Sequence, residues 1–257
     1  MNAINENIQG NTDQYFVGTD GSYQPYDFWL SLNGLYDLYD FSLKLFGDIN
    51  NKEVLDCGCG RGHTAVMLAK HGAKVTAFDL SESDIAIAHT LAEKNQVTVK
   101  LSSQRIEEMS YADNSFDYAF GACILHHVDI PVACKEIDRI MKPGAKAVFI
   151  ENSARNVFLM MARKWLVGSF GIPKYGDDDE EHPLTANDIE LLKQHFPGQV
   201  NVYHPDFLFF RLLDFYVLQK KSSLMTKALE TLDHLFGKVP LIRQYGYFQI
   251  IEFNKQV

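Results

Sequence analysis

From Glu53 onward, apolar and polar positions follow a repeating scheme of short buried runs alternating with amphipathic segments. EVLDCG reads as a strand running into a glycine loop, and HTAVMLAKHG as a helix closed by Gly72. KVTAFDLS is a second strand ending in an acid. SESDIAIAHTLAEKN is a helix opened by Ser81, with carboxylates in its first turn. VTVKLS, FDYAFGACI and KAVFIEN are three further buried strands, and PVACKEIDRIMKPG is the helix before the last of them. Strands that are apolar on both faces and alternate with helices build a parallel sheet covered on both sides.

The pattern loosens after Asn152. VFLMMARKWLV (157–167) is helical and strongly apolar, and the breaker-rich GSFGIPKYGDDDEEHP follows it. Thr185 caps ANDIELLKQHF, with Asp188 at the capping-box position. QVNVYH is a late strand, residues 207–237 are mainly helical, and YGYFQIIEFN is a final strand. Residues 12–46 are rich in aromatics and predict short helices packed on an apolar surface.

Composition narrows the function classes. The 257 residues fit one decorated domain, and a formal net charge of −9 without a long Lys/Arg run argues against nucleic acid or anionic membrane as a partner. The most apolar stretch, FLFFRLLDFYVL (207–218), is too short to span a bilayer and carries Arg211 and Asp214, so no stable membrane insertion is expected. The polar N-terminus does not read as a signal peptide. The four cysteines form neither a CxxC pair nor a secreted disulfide pattern, and a cytoplasmic location is expected.

The chemistry concentrates in VLDCGCGRG. A glycine loop between strand and helix lets backbone approach a ligand at the sheet's carboxyl edge. Here the spacing is Gly58-x-Gly60-x-Gly62, not the GxGxxG of dinucleotide folds, and Asp56 stands just before it. A carboxylate there repels phosphate and suits a ligand bearing an amino group. Asp79, about twenty residues further on, is placed to accept hydrogen bonds from the hydroxyls of a ribose. Together the two acids describe a nucleoside with an amino-acid tail, which is S-adenosylmethionine.

VLDCGCGRG, VTAFDLS, YADNSFDYAF, ILHHV and RIMKPGAKAVFIE occur in the order of the class I S-adenosylmethionine-dependent methyltransferases, and from about Glu53 to Asn152 the chain resembles their small-molecule branch. The resemblance implies an α/β fold: a Rossmann-like, doubly wound sheet of seven strands with an antiparallel last strand. It implies a helical N-terminal lid over residues 1–50 and a methyltransferase domain over 51–257, with cap insertions at about 153–184 and 205–240. By the same resemblance Asp56, Gly58 and Gly60 line the methionine side of the cofactor, Asp79 binds the ribose and Leu80 packs on the adenine. Arg105 and Ile106 flank the adenine's polar edge, where family members often carry an acid in place of Arg105. Cys123 faces the methionine region or is simply a small buried residue.

If the acceptor is a hydroxyl, a base must take its proton. His126 and His127, after the fourth strand, and Glu151, at the end of the fifth, are the candidates, with His182 in the EEHPLT turn a more distant one. Their alternative roles are packing, helix initiation and a solvated strand end. No metal is expected: DDDEE (177–181) reads as a solvated loop, and Cys57 and Cys59 as small residues within the glycine loop. The apolar cap segments favour an apolar or aromatic small-molecule acceptor, with oxygen ahead of nitrogen or carbon as the methylated atom. The competing readings are a cofactor-binding protein without turnover, a methyltransferase acting on a protein, and a nicotinamide-dependent oxidoreductase. The loop spacing and Asp56 count against the last.

Overall fold

The computed structural model describes residues 35–165, 182–218 and 222–257. Among them, seven strands form one sheet in the order β3-β2-β1-β4-β5-β7-β6. They are β1 (Glu53–Cys57), β2 (Lys74–Asp79), β3 (Val99–Ser103), β4 (Phe116–Ala122), β5 (Met141–Asn152), β6 (Gln199–Tyr203) and β7 (Phe248–Asn254). Strands β1 to β5 pair in parallel, and β7 runs antiparallel to both β5 and β6. The seven strands and the antiparallel final one are as the sequence implies.

Helices cover both faces: α1 (Leu35–Phe46), α2 (His63–Lys70), α3 (Glu82–Lys94), α4 (Ile130–Ile140), α5 (Val157–Trp165) and α6 (Ala186–His195). They are followed by α7 (Phe210–Leu213), which continues into a π turn (Asp214–Leu218), then α8 (Ser223–Gly237) and α9 (Pro240–Arg243). Alternation along the second half of β5 shows why Ala147–Ile150 is a continuous apolar run. Val148 and Ile150 enter a core with Leu38, Phe46 and Leu68, while Ala147 and Phe149 enter the opposite core with Ile137 and Leu192. Both faces of this stretch are buried, so no polar position survives between Lys146 and Glu151.

Local signals act where the sequence places them. Ser81 caps α3 by accepting from the Asp84 amide at 3.2 Å, and Thr185 and Asp188 form a reciprocal capping box on α6. One expectation needs correction: MKPG does not extend α4 but opens β5. Lys142 precedes a proline, which disfavours helical backbone, and Gly144 has a φ of +74°. The β4–β5 register jumps from Phe116↔Met141 to Tyr118↔Lys146, so this turn is absorbed as a bulge before the regular ladder begins.

In the described part of the N-terminal segment, Leu38, Tyr39 and Phe46 of α1 and Ile49 just after it are buried against the sheet. In the C-terminal insertion, Phe207, Leu208 and Leu212 are buried, whereas no residue of α5 is. A buried knot fixes that insertion. Asp233 on α8 accepts from the Phe209, Phe210 and Arg211 amides and from the Arg211 guanidinium, which also reaches Asp206. No helix among the described residues is long and apolar enough to cross a membrane.

Candidate active site

The parallel strands end at one edge, which carries the glycine loop after β1, Asp79 at the end of β2, the segment after β4 and Glu151 near the end of β5. At its centre, Gly58 and Gly60 adopt positive φ values of 66° and 49°. A Cβ on Gly58 would lie 2.8 Å from the Ile124 side chain, so the loop and the segment after β4 pack as only glycine permits. At Gly60 a Cβ would meet nothing within 4 Å, which leaves the backbone facing open space.

Asp79 stitches this loop to β2. Its Oδ2 accepts from the Gly60 amide at 2.7 Å and its Oδ1 from the Ser81 amide at 2.9 Å. Each carboxylate oxygen has two lone pairs, so both retain acceptor capacity for ligand hydroxyls. Leu80, the next residue, is 64% exposed, a large apolar side chain held where a flat ring can cover it. The Arg105 side chain is mostly exposed, and its guanidinium pairs with Glu107 at 3.6 Å. Ile106 is buried beside it.

Asp56 is fully buried, and neither of its carboxylate oxygens has a hydrogen-bond partner. Burial pushes its pKa from 3.8 to about 7, with the Asp79 charge adding to the rise, while the nearby Thr64 hydroxyl and Ala65 amide pull the other way without reaching hydrogen-bond geometry. A buried, unpaired carboxylate is costly unless a cation completes it. Burial likewise raises the thiols of Cys57 and Cys59 far above the range in which a thiolate forms, so they are inert walls of the loop.

The chain leaves β4 through Cys123, a non-glycine residue at φ +56°, and turns into a 3₁₀ segment, Leu125–His127. Backbone in this left-handed region costs on the order of 1 kcal/mol or more and persists only where surrounding bonds impose it. Those bonds come from Glu151, which is 0% exposed. Its Oε1 accepts from the amides of Ile124 at 2.8 Å and Leu125 at 2.7 Å, and its Oε2 lies 2.8 Å from His126 Nδ1.

An ionised carboxylate can only accept, so Nδ1 carries the proton and donates it to Glu151, leaving His126 Nε2 as the proton-accepting nitrogen. The exposed His127 ring stands 4.1 Å from that of His126. The structure therefore joins His126 and Glu151 into one dyad, which sequence proposed only as separate candidates. His182 lies two residues before Leu184, whose amide donates to the carbonyl of Asn152 at this same edge.

Sequence reasoning passed over Gln249. It pairs opposite Glu151 across the β5–β7 ladder, is 3% exposed, and its Nε2 has no partner. A glutamine in the final strand carries no motif, so only the antiparallel register reveals it. Among the described residues no three His, Cys, Asp or Glu side chains gather to hold a metal ion, and DDDEE lies outside those residues.

These features fit S-adenosylmethionine. The unpartnered Asp56 carboxylate suits an ammonium group, Asp79 keeps acceptor capacity suited to ribose hydroxyls, Gly60 leaves room for a ligand and Leu80 offers an apolar face. The likenesses agree with that fit. Residues 55–149 match the methyltransferase domain family. A ubiquinone biosynthesis O-methyltransferase of Coxiella burnetii is 39% identical over 102 residues, covering 39% of this chain and 44% of that protein. One of Rhizobium leguminosarum is 32% identical over 155 residues, covering 54% of this chain and 59% of that protein. The chain thus spans about half the length of these curated relatives. Among solved structures, a SAM-dependent methyltransferase from Aquifex aeolicus superposes with a TM-score of 0.52 at 21% identity, over 70% of this chain and 91% of that one.

Proposed function

We propose that the protein, whose residues 55–149 match the methyltransferase domain family, is a class I S-adenosylmethionine-dependent methyltransferase that transfers the methyl group to a hydroxyl of a small molecule. The observation that carries the oxygen assignment is the His126–Glu151 dyad: an imidazole within bonding distance of a buried carboxylate, 2.8 Å away, at the sheet edge that holds the cofactor loop. Names of relatives, ubiquinone biosynthesis O-methyltransferases, support the same acceptor atom.

When bound, S-adenosylmethionine supplies an electrophilic methyl for in-line displacement. The chain's residues do the remaining work. Asp56 would receive the ammonium, Asp79 the ribose hydroxyls and Leu80 the adenine face, and together they would orient the cofactor toward the acceptor. Orientation of this kind contributes on the order of 7–11 kcal/mol. His126 Nε2 takes the acceptor's hydroxyl proton, and Glu151 holds the ring in the correct tautomer and stabilises the imidazolium that forms. A positioned base of this type contributes roughly 10²–10⁴-fold. Glu151 acts through His126 and also fixes the segment carrying it, which makes it a positioning residue. Gln249, with its unpaired amide beside Glu151, is placed to orient the acceptor.

The test is transfer of labelled methyl from S-adenosylmethionine to a panel of phenolic and catecholic acceptors and their amine and carbon-acid analogues. Label in the phenols or catechols that disappears in His126→Ala supports the reading. Transfer only to amines or carbon acids contradicts it.

A further inference from the structure

The carboxyl edge continues past the dyad to β7 and β6, and there it collects positive charge. Arg155 lies four residues beyond Glu151, Arg243 closes the helix just before β7, and His204 follows the last residue of β6. The segment after β5 and the turn before β7 are tied together, and Tyr203, the residue before His204, pairs with Ile250 of β7. Arg155 Nη1 donates to Gln244 Oε1 at 2.6 Å, Asn156 Nδ2 to the carbonyl of Tyr245 at 2.9 Å, and the Ser153 amide to the carbonyl of Tyr247 at 2.8 Å.

Among the described residues neither Arg155 nor Arg243 has a carboxylate partner. Asp206, whose carbonyl packs by Gly246 in the same turn, has its carboxylate committed to Arg211. The Nδ1 of His204 is buried with no hydrogen-bond partner. Burial, and then the charges of Arg155 and Arg243, hold that imidazole neutral, with a pKa lowered to about 4. In a chain of net charge −9, two guanidiniums without a carboxylate partner, near enough to a half-buried imidazole for their charges to act on it, are not a product of composition. Their mutual repulsion is relieved by an anion, which a guanidinium fork and an imidazole N–H recognise together.

We propose that Arg155, Arg243 and His204 form an oxyanion subsite that takes a carboxylate or phosphate group of the methyl acceptor. The assignment rests on the methyl-transfer reading, since it places the acceptor along this edge. β6 lies two strands from β5, so the anionic group sits roughly 10 Å from the strand that bears Glu151. An acceptor with its hydroxyl at His126 and its anion at Arg155 and Arg243 is therefore about the length of an extended aromatic acid or a short phosphorylated phenol. Anchoring at two points orients the hydroxyl without any covalent role for the arginines.

The experiment titrates the full chain, loaded with S-adenosylhomocysteine, with benzoate, phenyl phosphate and phenol by calorimetry. The expected result is that benzoate or phenyl phosphate binds at least about tenfold more tightly than phenol. Preference for the first marks a carboxylate-bearing acceptor and for the second a phosphorylated one. Arg155→Gln/Arg243→Gln abolishes the preference while leaving the melting temperature unchanged, and Arg155→Lys, which keeps the charge, retains it. Equal binding of phenol and both anions, or a preference that survives in the double variant, overturns the subsite. Affinity for S-adenosylhomocysteine itself reports on the methyl-transfer reading alone. If that affinity is absent the reading falls, whereas intact affinity without anion preference sinks only the subsite.

Discussion

Replacing Asp56 with asparagine separates stability from cofactor binding at one residue. In the folded protein burial holds this carboxyl near 7 against its ordinary 3.8. Below pH 3.8 both folded and unfolded chains carry the proton, and Asp56 costs nothing. Between 3.8 and 7 the unfolded chain has lost the proton while the folded one retains it, so stability falls as pH rises. Above 7 the full penalty is present. A span of about three pKa units at about 1.4 kcal/mol each amounts to roughly 4 kcal/mol. Asparagine removes that penalty and adds about 1–3 kcal/mol for a buried amide without partners.

The amide cost does not vary with pH, so the comparison across pH isolates the carboxylate. At pH 5 only about a third of the penalty has developed, and at pH 8 all of it. The stabilisation of Asp56→Asn over wild type is thus larger at pH 8 than at pH 5 by about 2–3 kcal/mol. In thermal unfolding of the cofactor-free protein this appears as an extra gain of about 5–10 °C. Chemical denaturation at both pH values gives the free energies directly. A difference between variant and wild type that is the same at pH 5 and pH 8 refutes the reasoning, because Asp56 would then carry no buried, cofactor-directed charge.

Four further outcomes follow from the same geometry. Binding of S-adenosylmethionine requires Asp56 ionised, so affinity measured by calorimetry is flat above about pH 8 and falls about tenfold per unit below about pH 6; the Asp56→Asn variant loses this dependence. Asp79→Ala removes both the ribose acceptors and the ties to the Gly60 and Ser81 amides, and lowers cofactor affinity at least about 100-fold by the same measurement. His126→Ala lowers turnover about 10²–10⁴-fold with cofactor affinity unchanged and partial recovery at high pH. Glu151→Gln keeps the ring in place but shifts the pH–rate profile, a change that mere loosening of the fold does not produce.

Cofactor-side residues were readable because their signals are local. Strand, glycine loop and acid lie within nine residues of VLDCGCGRG, and Ser81 and Thr185 cap helices through partners three residues away. The acceptor side was assembled by long-range pairing. Glu151 meets His126 only because β5 lies beside β4, and Gln249 and His204 arrive through the antiparallel β5–β7–β6 ladder. No spacing rule joins such residues. The end of α4 was misread for a different reason: the apolar period carries through Met141, while the backbone limits set by Pro143 and Gly144 decide the boundary.

The central claim is methyl transfer from S-adenosylmethionine at this edge, with His126 as base. Labelled methyl transfer to catecholic and phenolic acceptors, run side by side for wild type, Asp79→Ala and His126→Ala, addresses it most directly. The account predicts label in the acceptor for wild type, loss through weakened cofactor binding in the first variant, and loss at saturating cofactor in the second. Tight binding of a nicotinamide dinucleotide with none of S-adenosylmethionine, or undiminished transfer in both variants, would contradict it.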